Sequence, residues 1–514
     1  MSAAAMTSQD ALWLSMDRPN NLMVIDTVMW FRETPDWDAV RHVVADRLVA
    51  NFPVFRSHPV VDGDGWAWEE DSAFDINQCL KVVELPEPGD LMVLRSFVAS
   101  QRSIAFDKSG PLWTMHLINN VRFEDGTVGA AIMARFHHSI ADGIRLVQAV
   151  ISLCDIEDDG LPPVGRKLRN STTPIAIARS TARNAVKSVA DVGSATASTV
   201  LGAAGSVGVV ASTALAGDPV GAAGGVVDGG RNLVTLGVKA MRYPERVMDV
   251  NLLVSSPDNR IANDVGTVGK LLLAGSSVET VWSGTPSVEK DAGWAPVVEL
   301  VDVKAIGRAT GTTVNDVMLS AVSGALTRYL RERGDDGVDE VIWMIPVSVQ
   351  AVEPGIPKEL GNHFALVALR MPIGIDDVTT RIKEMHHRME RIKNSDEAIL
   401  TFGIQRTISQ APRKIAVGLT NYFADKAVGV LTNVPGPRTP MSLAGTRVDG
   451  ILGWAPCSGD QPMTVCIFSY NGRVTVGFGT DKTLVPDVMR LSELFDEEFR
   501  SMYAEVLGRP IDSK

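Results

Sequence analysis

Cysteine is scarce in this sequence of 514 residues, and the four that occur form no CxxC motif: Cys79, Cys154, Cys457 and Cys466. Scattered cysteines provide neither a zinc-binding spacing nor a disulfide framework, so a reducing, cytoplasmic environment is expected. The first ten residues also lack a basic stretch followed by an apolar core. A cleaved secretion signal is therefore not expected.

Several motifs that would assign a chemistry directly are absent. The sequence has no G-x-S-x-G, which disfavours a serine hydrolase, and no H-E-x-x-H to hold zinc. It has no P-loop, and Gly477-Phe478-Gly479 stops short of a complete G-x-G-x-x-G, so nucleotide phosphates are not an obvious substrate. We expect neither a metal nor a bound cofactor. The net charge of −12 argues against a nucleic-acid partner, since nucleic-acid binding needs a dense basic surface.

The chain is long enough for two or more domains, and its 45% hydrophobic and 21% charged residues are ordinary globular values. Short apolar runs alternate with helical patterns from residue 10 to about 157 and again from about 295. The composition between these regions is rich in alanine and glycine. We therefore predict an N-terminal domain at 1–160, a crossover and linker at 161–294, and a C-terminal domain at 295–514.

The middle region contains an uncharged segment at 192–217 that could span a bilayer by length alone. Its alanine, glycine and serine residues add little insertion energy, so a transmembrane helix is disfavoured. Upstream, Arg179, Arg183 and Lys187 recur every four residues and form a basic stripe. Such a helix could lie on an anionic membrane surface or could be a solvated crossover, and the sequence favours neither.

The most informative stretch is His137-His138-Ser139-Ile140-Ala141-Asp142-Gly143. The apolar run at 129–134 predicts a strand before it, and helical spacing follows it. Asp142 is placed to cap that helix, and Gly143 would allow a tight turn and a close approach by another group. As a residue of a surface loop, His138 should contribute little to core packing. A second pair, His386-His387, lies in a charged helical pattern and is interpreted as a solvated helix face.

Other segments predict the remaining elements. Thr313 and Asp316 have the spacing of a capping box at the start of a long helix, which leaves Asn315 without such a structural role. Trp113, in a strand expected beside the histidine strand, is either core or the wall of an apolar channel. A hairpin is predicted at 464–479 around Asn471-Gly472. Further strands are predicted at 23–31, 297–301, 341–348 and 428–434, and a helix at 37–48.

The H-H-x-x-x-D-G stretch resembles the signature of acyl-CoA-dependent acyltransferases. The motifs that accompany it, in order along the chain, resemble the bacterial wax ester synthase/diacylglycerol acyltransferase family: Pro111-Leu112-Trp113, Asn315-Asp316, Pro346-Val347-Ser348, Gly361-Asn362 and Thr432-Asn433-Val434-Pro435-Gly436-Pro437. The resemblance extends from about residue 10 to residue 507, apart from the segment rich in alanine and glycine.

The resemblance implies an α/β fold of two domains like chloramphenicol acetyltransferase, each with a mixed sheet, and an active-site tunnel between them. His138 would take the proton from an acceptor hydroxyl, which would attack the thioester of a long-chain acyl-CoA directly. The acceptor would be diacylglycerol or a fatty alcohol, and the product triacylglycerol or wax ester. His137, Asp142 and Gly143 would shape the catalytic loop. The expected substrate-binding residues are Trp113, Asn315, Asp316 and Asn433.

The sequence also departs from the family pattern. Gln350 stands where the family usually has an arginine, Thr432 stands where serine is usual, and the segment at 285–290 lacks the expected Asn-Gly and basic run. Two alternatives therefore stay open. One is a glycolipid- or polyketide-directed acyltransferase that uses a carrier-bound donor, and the other is a weakly catalytic homologue on lipid droplets. The expected location is cytoplasmic and peripheral to the membrane or to lipid droplets.

Overall fold

The computed structural model describes residues 4–63, 65–157, 278–348, 360–362, 364–394, 401, 405 and 408–511. The basic stripe, the uncharged segment at 192–217 and Gln350 lie outside these residues. No helix within the described ranges is both long enough and apolar enough to cross a membrane.

Within residues 4–157, the part that the structure describes contains the α-helices α1 (Ser8–Met16), α2 (Trp37–Val44), α3 (Leu91–Arg102) and α4 (Gly143–Ser152) and the strands β1 (Ala4–Ala5), β2 (Val24–Phe31), β3 (Ser57–Asp62), β4 (Gly65–Glu70), β5 (Leu80–Glu84), β6 (Trp113–Arg122), β7 (Val128–His137) and β8 (Asp155–Ile156). The predicted strand at 23–31 is confirmed as β2, which is buried along its whole length. The predicted helix at 37–48 is α-helical to Val44 and continues as a π-helical turn, Ala45–Val49.

From residue 278 onward, the described residues include the helices α5 (Leu300–Thr310), α6 (Val314–Glu332), α7 (Val378–Lys393), α8 (Arg413–Ala424) and α9 (Val488–Leu507) and the strands β9 (Lys290–Trp294), β10 (Val298–Glu299), β11 (Glu340–Ser348), β12 (Phe364–Pro372), β13 (Gly429–Pro435), β14 (Met441–Leu443), β15 (Thr446–Trp454), β16 (Met463–Tyr470) and β17 (Arg473–Asp481). The predicted hairpin is confirmed in β16 and β17. Asn471 and Gly472 have positive φ angles of 48° and 78°, as a type I′ turn requires.

One local prediction is wrong. The run at 297–301 was expected to be a strand, but only β10 is extended, and α5 begins at Leu300. A short apolar run cannot be distinguished from the start of a helix by periodicity alone. Here Val303 and Ile306 continue the run at helical spacing and are fully buried, so packing favours the helix.

The strands form two mixed seven-stranded sheets and a small third one. The first sheet has the order β5-β6-β7-β2-β15-β14-β8, in which β5 and β6 are parallel. The second has the order β10-β17-β16-β13-β11-β12, with β9 also paired to β17 and with β13 parallel to both neighbours. The small sheet is β1-β4-β3. The expected mixed α/β fold class with two sheets is therefore confirmed.

The two sheets are not built from two contiguous halves of the chain. The strands β14 and β15 follow β13 of the second sheet but pair with β8 and β2 of the first. The strand β15 also packs against β17 where Gly477 has no side chain, since a Cβ there would lie 2.5 Å from Leu452. The predicted domain boundary at residue 295 assigns β14 and β15 to the C-terminal domain, whereas both strands pair within the first sheet. This crossing connects the first sheet to the second.

Candidate active site between the two sheets

The His137–Gly143 loop lies where β7, an interior strand of the first sheet, ends. The backbone N–H of His138 donates to the carbonyl of Met23, with a distance of 2.7 Å. Asp142 is the N-cap of α4, as predicted, and accepts a hydrogen bond from the Arg145 N–H at 2.8 Å. A Cβ on Gly143 would meet only Ile25, at an ordinary 3.8 Å. The close approach expected at Gly143 is therefore not made by any described residue.

The ring of His138 is buried, contrary to the expectation of a surface loop, and only 6% of the residue is exposed. It packs against both Trp13 of α1 and Phe364 of β12, with ring centroids 4.8 and 5.5 Å away. Burial is the main cause that lowers the pKa of His138 to about 4, and His137 adds to the effect. The imidazole is thus neutral at pH 7 and is able to accept a proton.

His137 has a different environment. Its Nδ1 accepts the backbone N–H of Ser139 at 3.1 Å and lies 2.8 Å from the Ser139 hydroxyl. Because Nδ1 is an acceptor, the ring proton is on Nε2, which lies 3.8 Å from a carboxylate oxygen of Asp17. Burial lowers the pKa of His137. These contacts fix the ring of His137 within the loop.

Asp17, just after α1, links this ring to its surroundings. Burial alone would raise the pKa of Asp17, but the nearby ring N–H of His137, the Met23 N–H and Lys108 together lower it to about 2. The Met23 N–H donates to Asp17 at 2.9 Å, and Lys108 lies 3.3 Å from its other oxygen. An ionised Asp17 thus holds both the turn after α1 and the first histidine.

Residues from the second sheet complete the loop. The Asp142 N–H donates to the carbonyl of Gly361 at 3.1 Å. The side-chain Nδ2 of Asn362 donates to the carbonyl of His138 at 3.0 Å and to Asp10 of α1 at 2.7 Å. The Gly361-Asn362 motif signalled this segment in the sequence, but nothing there assigned a contact to it. The histidine loop is therefore shared between the two sheets.

An apolar cavity begins next to this loop. Its volume is about 860 Å³ including its open mouth. The wall is formed by α1, β11, β12, α8, β13, the turn at 458–461 and the residues Thr401, Gln405 and Ile408. Its apolar side chains include Leu12, Trp13, Met344, Leu366, Phe423 and Val430. Trp13 contacts both the cavity and the ring of His138. A lining of this kind suits an alkyl chain.

Trp113, predicted to be either core or channel wall, is fully buried in the core. Its Nε1 donates to the carbonyl of Phe55 at 2.7 Å, and its ring stacks on Phe136 at 6.5 Å. It is not part of the cavity wall described above. The tryptophan beside His138 is Trp13, which the sequence did not single out, because α1 gives no sign of what it packs against.

The remaining candidates form a group at the start of α6. Thr313 and Asp316 make the predicted capping box, and the amide of Asn433 on β13 donates to Asn315 Oδ1 at 2.7 Å. Asp316 is fully buried, and its Oδ2 lies 2.7 Å from Nδ1 of His386 on α7. His387 is exposed, but the expectation of a solvated face is wrong for His386, which is held by that carboxylate. None of these contacts involves His138.

The described part of the chain contains no group of three or more His, Cys, Asp and Glu side chains arranged to hold a metal ion. At the histidine loop, the chain places a neutral imidazole beside an apolar cavity and a carboxylate at the start of α4.

Comparisons with known proteins place this arrangement in a family. Residues 6–226 match the wax ester synthase/diacylglycerol acyltransferase catalytic domain, and residues 360–503 match the C-terminal domain of the same family. The chain is 26% identical over 466 residues to a protein of Mycobacterium tuberculosis named probable diacylglycerol O-acyltransferase, covering 87% of each protein. It is 21% identical to the O-acyltransferase WSD of Acinetobacter baylyi, covering 98% of each.

Among solved structures, the wax ester synthase/diacylglycerol acyltransferase of Marinobacter aquaeolei VT8 superposes with a TM-score of 0.61 at 17% identity, covering 98% of this chain and 100% of that one. This similarity confirms the fold, and the two domain matches together span most of the described residues. The chain belongs to the wax ester synthase/diacylglycerol acyltransferase family.

Proposed function

We propose that this O-acyltransferase uses His138 as the general base for acyl transfer. The observation that carries the proposal is the position of one buried, neutral imidazole between the two sheets, against a tryptophan that also lines an apolar cavity. Acyl transfer to a hydroxyl needs a group that removes the hydroxyl proton as the oxygen attacks. A histidine that is already neutral at pH 7 can do this without first losing a proton.

The proposed reaction has one acyl-transfer step and no acyl-enzyme. The imidazole of His138 takes the proton of the acceptor hydroxyl while the oxygen attacks the thioester carbonyl of acyl-CoA. The tetrahedral intermediate then collapses, the carbon–sulfur bond breaks, and the imidazolium returns the proton to the leaving CoA thiolate. The products are an ester and free CoA. His137, Asp142 and Gly143 shape the loop rather than exchange protons with the substrate.

The substrates we propose are a long-chain acyl-CoA and either diacylglycerol or a fatty alcohol. The apolar lining of the cavity supports an alkyl chain in at least one of them, and relatives named diacylglycerol O-acyltransferase support the acceptor class. Asn315 and Asn433, joined by their amide hydrogen bond on the second sheet, stay predicted substrate contacts. Trp113 and Asp316, by contrast, have contacts that already explain their burial.

The test is release of CoA thiol from palmitoyl-CoA with hexadecanol, monoacylglycerol or diacylglycerol as acceptor. We expect turnover with at least one acceptor and its loss in His138→Ala. The matched control is His387→Ala, an exposed helix histidine that should leave turnover unchanged. Turnover retained by His138→Ala would remove this residue from the mechanism. Turnover only with acyl groups on a carrier protein would favour the glycolipid or polyketide alternative.

We also propose that the protein works at an anionic membrane or lipid-droplet surface, with the beginning of α8 towards the lipid. Arg413, Lys414 and Ile415 are exposed there, and Arg413 lies over the ring of Trp66 at 5.5 Å. Basic, aromatic and aliphatic side chains together favour the lipid interface. The far end of the same helix lines the cavity through Phe423, so docking here would bring the cavity close to the lipid.

Sedimentation with phosphatidylcholine vesicles, with and without phosphatidylglycerol, tests this placement. We expect binding to the anionic vesicles, and its loss in Arg413→Glu/Lys414→Glu. The control is Lys304→Glu/Arg308→Glu, which makes the same charge change on the exposed face of α5. If both pairs lose binding equally, net charge rather than α8 determines it and the placement is wrong.

A further inference from the structure

Asn362 connects three elements that meet at the histidine loop. It lies just before β12, and only 5% of the residue is exposed. Its amide nitrogen has two N–H groups, and these serve two buried acceptors: the Asp10 carboxylate at 2.7 Å and the His138 carbonyl at 3.0 Å. One side chain from the segment that leads into β12 therefore joins α1 to the peptide group of His138.

Asp10 is itself held in place. It lies in the first turn of α1, and its second carboxylate oxygen accepts the Thr7 hydroxyl at 2.6 Å, so the carboxylate cannot rotate freely. Trp13 follows three residues later, which places it on the same face of the helix. The helix α1 therefore contacts the catalytic loop twice, through Trp13 on the ring of His138 and through Asp10 and Asn362 on its carbonyl.

We propose that Asn362 is a positioning residue, which fixes the carbonyl of His138 and thereby the imidazole relative to the cavity. The inference rests on the function proposed above for His138. The carbonyl of His138 lies beyond the last residue of β7, so the strand pairing of β7 does not extend to it. A displacement of the base by 1 Å is enough to slow a reaction about 100-fold, so one hydrogen bond at this carbonyl can control the rate.

The experiment compares Asn362→Ala with two changes at its partner. Asn362→Ala should lower kcat about 10- to 100-fold, with the KM for palmitoyl-CoA changed by less than about threefold, because the base moves while the cavity stays. Asp10→Ala should act in the same direction. Asp10→Asn should keep most of the activity, because an amide oxygen still accepts the Asn362 N–H. The double variant Asn362→Ala/Asp10→Ala should be no slower than Asn362→Ala alone.

The variant Tyr470→Phe serves to distinguish a positioning role of Asn362 from a purely structural one. The hydroxyl of Tyr470 also bridges two backbone groups, since it accepts the Met441 N–H at 2.9 Å and donates to the Val448 carbonyl at 3.0 Å. Both variants should lower the urea midpoint of unfolding, but only Asn362→Ala should lower kcat in the folded enzyme. An equal drop in kcat for the two variants would overturn the positioning role.

The remaining outcomes separate this inference from the proposed function. If His138→Ala is inactive while Asn362→Ala is folded and keeps the wild-type kcat, the positioning role is wrong and the base is unaffected. If His138→Ala is active, the proposed function fails whatever Asn362 does. Should Asn362→Ala not fold, the Asp10→Ala and Asp10→Asn pair decides, because equal activity in those two variants contradicts the inference.

Discussion

Trp13 and His138 pack ring against ring, with centroids 4.8 Å apart and planes tilted by 39°. The indole belongs to α1, near the start of the described chain, and the imidazole lies 125 residues later, at the end of β7. Trp13 also stacks on Phe364, with centroids 5.9 Å apart, so the three rings contact one another. The wall of the cavity and the proposed base are therefore in direct contact, so a substitution of Trp13 should also alter the surroundings of His138.

Replacing Trp13 by alanine should affect both stability and substrate preference. The loss of a buried indole should lower the free energy of unfolding by about 3 to 5 kcal/mol. The enlarged cavity should also raise the KM for long-chain substrates, because the wall no longer encloses the alkyl chain. Urea denaturation and kinetics with acyl-CoA donors of increasing chain length measure the two effects.

Trp13→Phe is the matched control, since it keeps an aromatic ring against His138. It should restore most of the stability and leave the base in place. A Trp13→Ala variant whose chain-length preference and KM equal those of the wild type would show that the cavity does not hold the substrate.

Local signals in the sequence were sufficient for the strand, loop and helix around the histidines. The apolar run before His137 and the cap at Asp142 each depend on residues a few positions apart, and both are found as predicted. The contacts of Asn362 with Asp10 and His138 span 352 and 224 residues. No periodicity or capping pattern predicts which distant segments meet, so these partners were visible only in the folded chain.

The pairing of β14 and β15 with the first sheet could not be predicted from the sequence for the same reason. An alternating strand pattern shows that a segment pairs, but it does not show with which sheet. The capping box had the opposite outcome: Thr313 and Asp316 are three residues apart, and the reciprocal hydrogen bonds were predicted correctly. The third partner of this carboxylate, His386, is 70 residues away and was assigned to a solvated face.

Mild acid should destabilise the protein before its carboxylates are protonated. Burial is the main cause that lowers the pKa of His116, His137 and His138, to about 4 for His116 and His138, whereas an unfolded histidine has a pKa of about 6.5. Between these values the unfolded chain binds more protons, so the free energy of unfolding decreases as the pH falls through this range. For His116 or His138, a fall in pKa from about 6.5 to about 4 on folding corresponds to a loss of about 3 kcal/mol of stability once the pH is below both values.

Urea unfolding at pH 7.5 and pH 5 measures this dependence. The midpoint should fall at pH 5 in the wild type, and by less in His116→Gln, which cannot take up the proton. Asp17 does not contribute in this window, since its pKa is lowered to about 2 and its stabilising charge is lost only in stronger acid. An identical pH dependence in the two proteins would show that His116 is not buried in its neutral form.

The buried ion cluster around Asp26 on β2 should be important for the stability of the first sheet. Asp26 on β2 accepts hydrogen bonds from Arg135 at 3.0 Å and from Arg102 at 3.1 Å, and all three side chains are at most 10% exposed. Asp26→Asn would leave two buried guanidinium groups without a counter-charge. We expect the free energy of unfolding to fall by about 3 to 5 kcal/mol.

The control for this charge is Asp125→Asn, which removes an exposed partner of Arg32 and should cost little stability because solvent screens the pair. Urea denaturation of the two variants at one pH compares them directly. Equal effects would mean that solvent reaches Asp26 and that the cluster is not a buried one.

Asn315 and Asp316 are neighbours with different expected roles. Substitution of Asp316 should mainly lower stability, and substitution of Asn315 should mainly affect substrate binding. Asp316 is fully buried, closes the capping box of α6 and contacts His386, so Asp316→Ala should lower the free energy of unfolding by about 2 kcal/mol or more. Its kcat per folded molecule should change little.

Asn315 is half-buried and bonded to the exposed Asn433, so Asn315→Ala should cost little stability. If the predicted substrate contact is correct, this variant should instead raise the KM for one of the two substrates, and Asn433→Ala should have the same effect. A kcat that collapses in folded Asp316→Ala while Asn315→Ala is unchanged would reverse the two roles.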